Sequence, residues 1–250
     1  MRLLLDCGNS LVKWQLRRQG AVVAQGQLLY GEEALQREVT DWEFTPKSIF
    51  VAAVVDEVRL SPLLTMLEQR WSLAVTRLTT TARFGQLTNG YLRPETLGVD
   101  RWLALIGGAE GVPPPLMVAD LGSAITVDAV DAQWQHHAGV ILPGLKSLAA
   151  TLAAVTPLQQ VSVADLPPRG VETAILSTEM AISQGQIFAI VGAIEQSYHS
   201  FSRRFASPPQ IVLTGGDSGL LSPHLALPHS CRSDLIFCGM DRVATAISGG

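Results

Sequence analysis

Short apolar runs broken by glycine turns alternate along this chain with longer segments whose apolar residues recur at helical spacing. Residues 3–16, LLLDCGNSLVKWQL, read as two strands joined by a turn, and GAVVAQGQLLY (20–30) continues in extended character. KSIFVAAVV (47–55) and LAVTRLT (73–79) read as strands. Between them SPLLTMLEQRW (61–71) predicts a helix, with Ser61 as N-cap and Pro62 at the first helical position. GVDRWLALIGGAEG (98–111) predicts a helix that follows a Gly-led loop and is ended by glycines; Pro113, Pro114 and Pro115 then mark the best linker. Beyond them come a strand-turn-strand, MVADLGSAITVDAV (117–130), and an extended HAGVILPG (137–144). A long amphipathic helix follows over 177–205, opened by a Ser/Thr cap; QIVLTGG (210–216) is a strand running into a glycine turn, and MDRVATAIS (240–248) a closing helix.

Two of these segments repeat one another. Superimposing Asp6 on Asp120 also superimposes Gly8 on Gly122 and Asn9 on Ser123, with an apolar strand on each side. Mixed strands and helices in two similar halves imply a duplicated α/β architecture, with domains expected at 1–114 and 115–250.

Composition narrows the class. The 250 residues are 47% hydrophobic and 16% charged, enough for a sizeable packed core. A net charge of −4, with neither sign in long runs, leaves no nucleic-acid footprint. The N-terminal apolar run stops at Asp6, short of the ~7–15-residue core of a signal peptide, and no apolar stretch approaches the ~20 residues that span a bilayer. Cys7, Cys231 and Cys238 are odd in number and lack C-x-x-C spacing, so they read as reduced, structural and cytosolic. His136 and His137, without Cys or carboxylate companions, read as a solvated loop pair.

The chemistry turns on LLDCGNSLVK (4–13): a buried strand ends in a carboxylate, turns through Gly-Asn-Ser, and returns to a lysine. An ordinary hairpin accounts for this, since Gly and Asn supply positive-φ positions and Asp6 can cap the turn through its side chain. The alternative for Lys13 is a solvated strand end. Two such turns, whose backbone N–H groups can face phosphates, take on another meaning when Thr214, Gly215 and Gly216 add a place for a flat base against backbone. Those are the parts of a nucleotide cleft. The common phosphate-binding motifs G-x-x-x-x-G-K-[ST] and G-x-G-x-x-G are absent. Asp100-Arg101 would otherwise be a surface pair at a helix start, Tyr91 a turn aromatic and Thr178 a helix cap.

In order along the chain, DCGNSLVK, NGYLRPETLGVDRW, DLGSAITVD, GVILPG, TEMAISQG and LTGG resemble the actin-like ATPase superfamily of acetate and sugar kinases, chaperone ATPases and actin. More narrowly they resemble type III pantothenate kinases, over nearly the whole chain. Two departures stand out: Ser123 replaces the usual Thr, keeping a hydroxyl, and Ala138 stands where a second glycine commonly precedes GVILPG.

The resemblance implies a duplicated actin-like (ribonuclease H-like) ATPase fold with two similar domains flanking a nucleotide cleft. It implies ATP-dependent phosphorylation of pantothenate to 4′-phosphopantothenate, the first step of coenzyme A synthesis. Asp6 would hold Mg²⁺ through water, which suits a cation that prefers a carboxylate or two plus water and phosphate. Cys7, Gly8, Asn9, Ser10, Leu11, Val12 and Lys13, with Ser123, would bind ATP. Asp100 would be the general base, and Gly98, Val99, Asp100, Arg101, Tyr91 and Thr178 would contact pantothenate. Arg101 suits the substrate's carboxylate because its planar fork pairs two oxygens. Asp120 would bind a monovalent cation, K⁺ or NH₄⁺. The family further implies a cytoplasmic homodimer. A branch of it has been described as accessory factors in transcriptional regulation, so a nucleotide-binding regulator without turnover is the competing expectation.

Overall fold

The computed structural model describes residues 1–31, 39, 41–156, 175 and 177–249. Among them the chain forms two compact units: Met1–Phe84, Leu92–Gly107 and Leu235–Gly250 in the first, Gly85–Tyr91 and Gly108–Asp234 in the second. The units are thus discontinuous along the sequence, not halves divided at the prolines. Pro113 and Pro115 lie within the second unit, where their carbonyls accept hydrogen bonds from Gln210.

The first unit is built on a five-stranded sheet of order β3-β2-β1-β4-β5, from β1 (Arg2–Cys7), β2 (Val12–Arg18), β3 (Ala21–Leu28), β4 (Ser48–Ala53) and β5 (Val75–Arg77). Strands β1, β2 and β3 run antiparallel, while β4 lies parallel to β1 and β5 parallel to β4. Central β1 and β4 are almost continuously apolar because both faces are covered, whereas edge strand β3 alternates and is largely exposed. On one face Leu3, Leu5, Trp14, Leu16, Ile49 and Val51 pack with Leu60, Leu63 and Leu67 of helix α1 (Glu57–Trp71) and with Trp42. Helix α1 begins earlier than Ser61: Asp56 caps it, its carboxylate accepting from the Arg59 amide at 3.0 Å. Pro62 therefore lies inside the helix, where the carbonyl it cannot serve belongs to Val58, which is 85% exposed and open to water. Helices α2 (Val99–Gly108) and, from the chain's end, α6 (Leu235–Ser248) complete this unit. They approach closely at Gly239, where an added Cβ would collide with the Leu103 carbonyl.

The second unit repeats the topology. Its sheet, of order β10-β9-β8-β11-β12, is formed by β8 (Leu116–Leu121), β9 (Ala124–Val130), β10 (His136–Pro143), β11 (Gln210–Thr214) and β12 (His229–Cys231). Again the first three strands are antiparallel and the last two parallel. Met117, Ala119, Ile125, Val127, Ile211 and Leu213 form the core with Ile187, Ile190 and Ile194 of α4 (Thr178–Arg204), which Ser177 caps by accepting from the Met180 amide. Helices α3 (Leu145–Val155) and α5 (Ser218–Leu221) and strand β12 in this unit, and along the chain the short strands β6 (Arg83–Phe84) and β7 (Leu87–Thr88), are elements the apolar pattern did not announce.

His136 and His137 are not a solvated loop pair. Both begin β10, and His136 is buried against Asp128 while His137 hydrogen-bonds Asp131 at 2.9 Å. A buried imidazole needs hydrogen-bond partners, and the antiparallel return of β9 onto β10 supplies a carboxylate eight residues back in sequence.

Candidate active site

In the first unit, β1 and β2 put Asp6 and Lys13 directly opposite one another, with Cys7 opposite Val12 and Gly8–Leu11 forming the turn. Cross-strand partners share a face, so the lysine seven residues on lies on the carboxylate's side of the sheet. Asp6 is buried and Lys13 half-buried; Asn9 and Ser10 are exposed at the tip. The Tyr30 hydroxyl donates to the Gly8 carbonyl at 2.8 Å, and Arg59 donates to the Asn9 carbonyl at 3.1 Å while its guanidinium lies 6.0 Å from the Tyr30 ring centre. These contacts fasten the turn's carbonyls from behind. Cys7 and Val12 are fully buried, so they reach a ligand only through backbone. Burial, and then the Asp6 charge, push the Cys7 thiol up to about 12, which keeps it neutral.

At the start of α2 the Asp100 carboxylate accepts from the amide of Arg101 at 2.8 Å and lies over Gly98. A Cβ on residue 98 would stand 2.5 Å from that oxygen, so glycine there makes room for the carboxylate. Val99 and Trp102 anchor the turn in the core, Asp100 is half-buried, and Arg101 is only 6% exposed.

In the second unit Asp120, near the end of β8, lies opposite Thr126 on β9 and beside Thr214 on β11. Gly215 follows with φ +90°, pressed so closely that a Cβ would collide with the Asp120 carboxylate and the Leu121 backbone. Only glycine fits this approach. Ser123 is exposed at the turn, and its carbonyl accepts from the Gly144 amide at 3.1 Å and from Ser147 at 3.3 Å. Gly144 itself packs onto the Gly122 carbonyl and opens α3, whose first amides have no side-chain cap. Glycines 144 and 215 thus belong to the same constellation as Asp120 and Ser123. The sequence had marked Gly215 as a place for a flat base in the nucleotide cleft, whereas Gly144 stood in GVILPG without a role of its own.

Tyr91 lies on the loop after β7, its ring stacked on His136 at 5.9 Å between centres. Thr178 is the first residue of α4 and is exposed, while Ser177 does the capping. Asp6–Lys13 and Gly98–Arg101 therefore belong to the first unit, and Tyr91, Asp120, Ser123 and Thr178 to the second.

A repeated five-stranded sheet with a glycine turn at each first hairpin defines the actin-like ATPase fold of the sugar kinases. The same fold occurs in a structure described as a Baf-family transcriptional activator from Campylobacter jejuni (TM-score 0.61, 22% identity, covering 99% of this chain and 100% of that one). It occurs also in one described as a 2-dehydro-3-deoxygalactonokinase from Sinorhizobium meliloti (TM-score 0.59, 14% identity, covering 99% of each). The model of the type III pantothenate kinase family matches residues 2–200, and the type III pantothenate kinase of Halorhodospira halophila is 34% identical over 253 residues, covering 96% of each chain. The chain belongs to the type III pantothenate kinase family.

Proposed function

We propose that this protein transfers the γ-phosphoryl group of ATP to the hydroxyl of pantothenate, forming 4′-phosphopantothenate at the start of coenzyme A synthesis. Beyond family membership, the observation that carries the reading is the start of α2, where a half-buried carboxylate held over Gly98 adjoins a buried guanidinium. Pantothenate offers an alcohol to one and a carboxylate to the other.

Phosphoryl transfer depends mainly on alignment and charge neutralisation. Asp100 orients the pantothenate hydroxyl and takes its proton as the new P–O bond forms and the bond to the leaving ADP breaks. Arg101 grips the substrate's carboxylate with two parallel N–H bonds. Tyr91 and Thr178 provide further contacts to pantothenate. Backbone and side-chain donors of Gly8, Asn9 and Ser10, the charge of Lys13 and the hydroxyl of Ser123 hold the phosphates. The donor set fits Mg²⁺: Asp6 is a hard oxygen ligand at a strand end beside a turn rich in N–H groups. Bound there through water, Mg²⁺ would neutralise charge on the phosphate oxygens. Asp120, fixed by the close approach of Gly215, holds a monovalent cation, K⁺ or NH₄⁺. The protein acts as a homodimer in the cytoplasm, a compartment that suits its three free cysteines.

A coupled assay of ADP release, run with and without pantothenate in potassium, ammonium and sodium buffers, tests this reading. Release should require pantothenate and be greater in potassium or ammonium than in sodium. Slow release indifferent to pantothenate would point instead to a nucleotide-binding regulator, and equal rates in all three salts would remove the cation from Asp120.

A further inference from the structure

The steps above make no use of Asp128 and His136. Their side chains are 3% and 0% exposed, with Oδ1 and Nε2 2.9 Å apart. The pair is tightly enclosed: a Cβ on Gly139 would stand 2.6 Å from the same Asp128 oxygen. Burying a carboxylate and an imidazole together is costly unless their remaining valences are used.

His136 uses its other nitrogen. Nδ1 lies 3.4 Å from the amide nitrogen of Gly90, and an amide N–H can only donate. Nδ1 must then carry the lone pair, which leaves the ring proton on Nε2, directed at the Asp128 carboxylate. The Asp128 contact thus fixes the tautomer that Gly90 requires. The imidazole's face carries Tyr91, whose ring lies 5.9 Å away at an interplanar angle of 17°, an offset stack.

The rest of the loop is docked on the same hairpin. The Thr88 amide donates to the Trp134 carbonyl at 3.0 Å, and the Tyr91 amide donates to the side chain of buried Asn89 at 2.9 Å. Gly90 passes so close to the His136 carbonyl that any Cβ would collide with it. All these residues belong to the second unit, so the arrangement is internal to it.

We infer that Asp128 and His136 are positioning residues for pantothenate: Asp128 fixes the imidazole, and the imidazole holds the Gly90–Tyr91 backbone and ring where Tyr91 meets the substrate. The inference rests on the proposed contact between Tyr91 and pantothenate. It also gives the close-packed Gly90 a reason, since a side chain there would lift the loop from its support.

Steady-state kinetics on Tyr91→Ala, His136→Ala and the double variant test it, with pantothenate and ATP each varied. His136→Ala should raise the KM for pantothenate about tenfold, leaving kcat and the KM for ATP within about twofold of wild type. Tyr91→Ala should raise it at least as much, and the double variant should be no worse than Tyr91→Ala alone, because the histidine acts through the tyrosine. If Tyr91→Ala raises the KM but His136→Ala does not, or if the two effects multiply, the positioning role is wrong while the Tyr91 contact stands. An unchanged KM in Tyr91→Ala would overturn the contact and the inference with it. Should His136→Ala fail to fold, Asp128→Leu/His136→Phe replaces the polar pair by an apolar one that keeps the stacking ring. Losing the Gly90 contact should still raise its pantothenate KM severalfold, and a wild-type value would refute the inference.

Discussion

At the residue scale, the start of α2 puts the proposed base and the proposed carboxylate-binding guanidinium on adjacent residues. A side chain at Gly98 would displace the Asp100 carboxylate, whose oxygen would lie 2.5 Å from the added Cβ, and Arg101, one residue on, is buried to the level of core residues. The proposed partner of the Arg101 fork is the carboxylate of pantothenate, whose two oxygens suit its planar pair of N–H donors. Arg101→Lys should therefore weaken pantothenate binding about ten- to a hundredfold, since an ammonium offers a point charge but no planar fork, with ATP binding nearly unchanged. An analogue bearing a neutral amide in place of the carboxylate makes the test specific. Wild type should prefer the acid and Arg101→Lys should prefer it much less; an unchanged acid-to-amide ratio would make Arg101 a structural partner of a protein carboxylate. The GVDR segment singled these residues out in the sequence through its resemblance to a family motif that lies within one helix start. Asp128 and His136 were not legible. Their meaning depends on a strand register that brings residues eight apart into contact and on a loop from forty-six residues earlier in the chain.

At the element scale, the β1–β2 hairpin answers why a buried strand ends in a carboxylate met by a lysine. Register places Asp6 and Lys13 across from each other, and the turn between them is fastened through its carbonyls by Tyr30 and Arg59. The strands were readable from apolar runs, and α2 and α4 from their helical spacing. Helix α1 was displaced because the choice of cap between Asp56 and Ser61, five residues apart, is settled by side-chain geometry, not by residue type. Helix α3 escaped because Gly144 supplies no side-chain cap to mark its start. The hairpin also predicts an alkaline sensitivity. Cys7 ionises near 9 when exposed, but in the fold burial and the Asp6 charge raise it to about 12. Between those values the unfolded chain loses a proton that the folded chain keeps, so stability falls as pH rises, by roughly 1 kcal/mol per pH unit, and no such loss occurs below about 9. Tyr30 is pushed upward as well, by burial first and then by Cys7, and adds to the decline at higher pH. Urea unfolding at about pH 8 and about pH 10 should show wild type losing roughly 1 kcal/mol more than Cys7→Ala between the two. Parallel losses in both proteins would mean that Cys7 ionises normally.

At the scale of the whole molecule, the internal repeat was the most informative feature of the sequence. Aligning Asp6 with Asp120 anticipates two similar α/β halves; the structure adds that the two sheets share one strand order, three antiparallel strands followed by two parallel ones. What the repeat could not convey is the discontinuity of the units: helix α6, at the end of the chain, packs with β1 and β4 of the first, where Arg2 pairs with Asp241. Such a return depends on long-range packing that no local pattern records. Within this duplicated frame the chain moves a phosphoryl group to pantothenate, with Asp100 as the proposed base. The most direct measurement follows label from γ-phosphate-labelled ATP into pantothenate, for wild type and for Asp100→Asn, with ATP binding measured alongside. Wild type should form labelled phosphopantothenate, and Asp100→Asn should bind ATP normally yet turn over ~10²–10⁴-fold more slowly. No labelled product from wild type would contradict the kinase reading, and near-normal turnover in Asp100→Asn would take the base from Asp100.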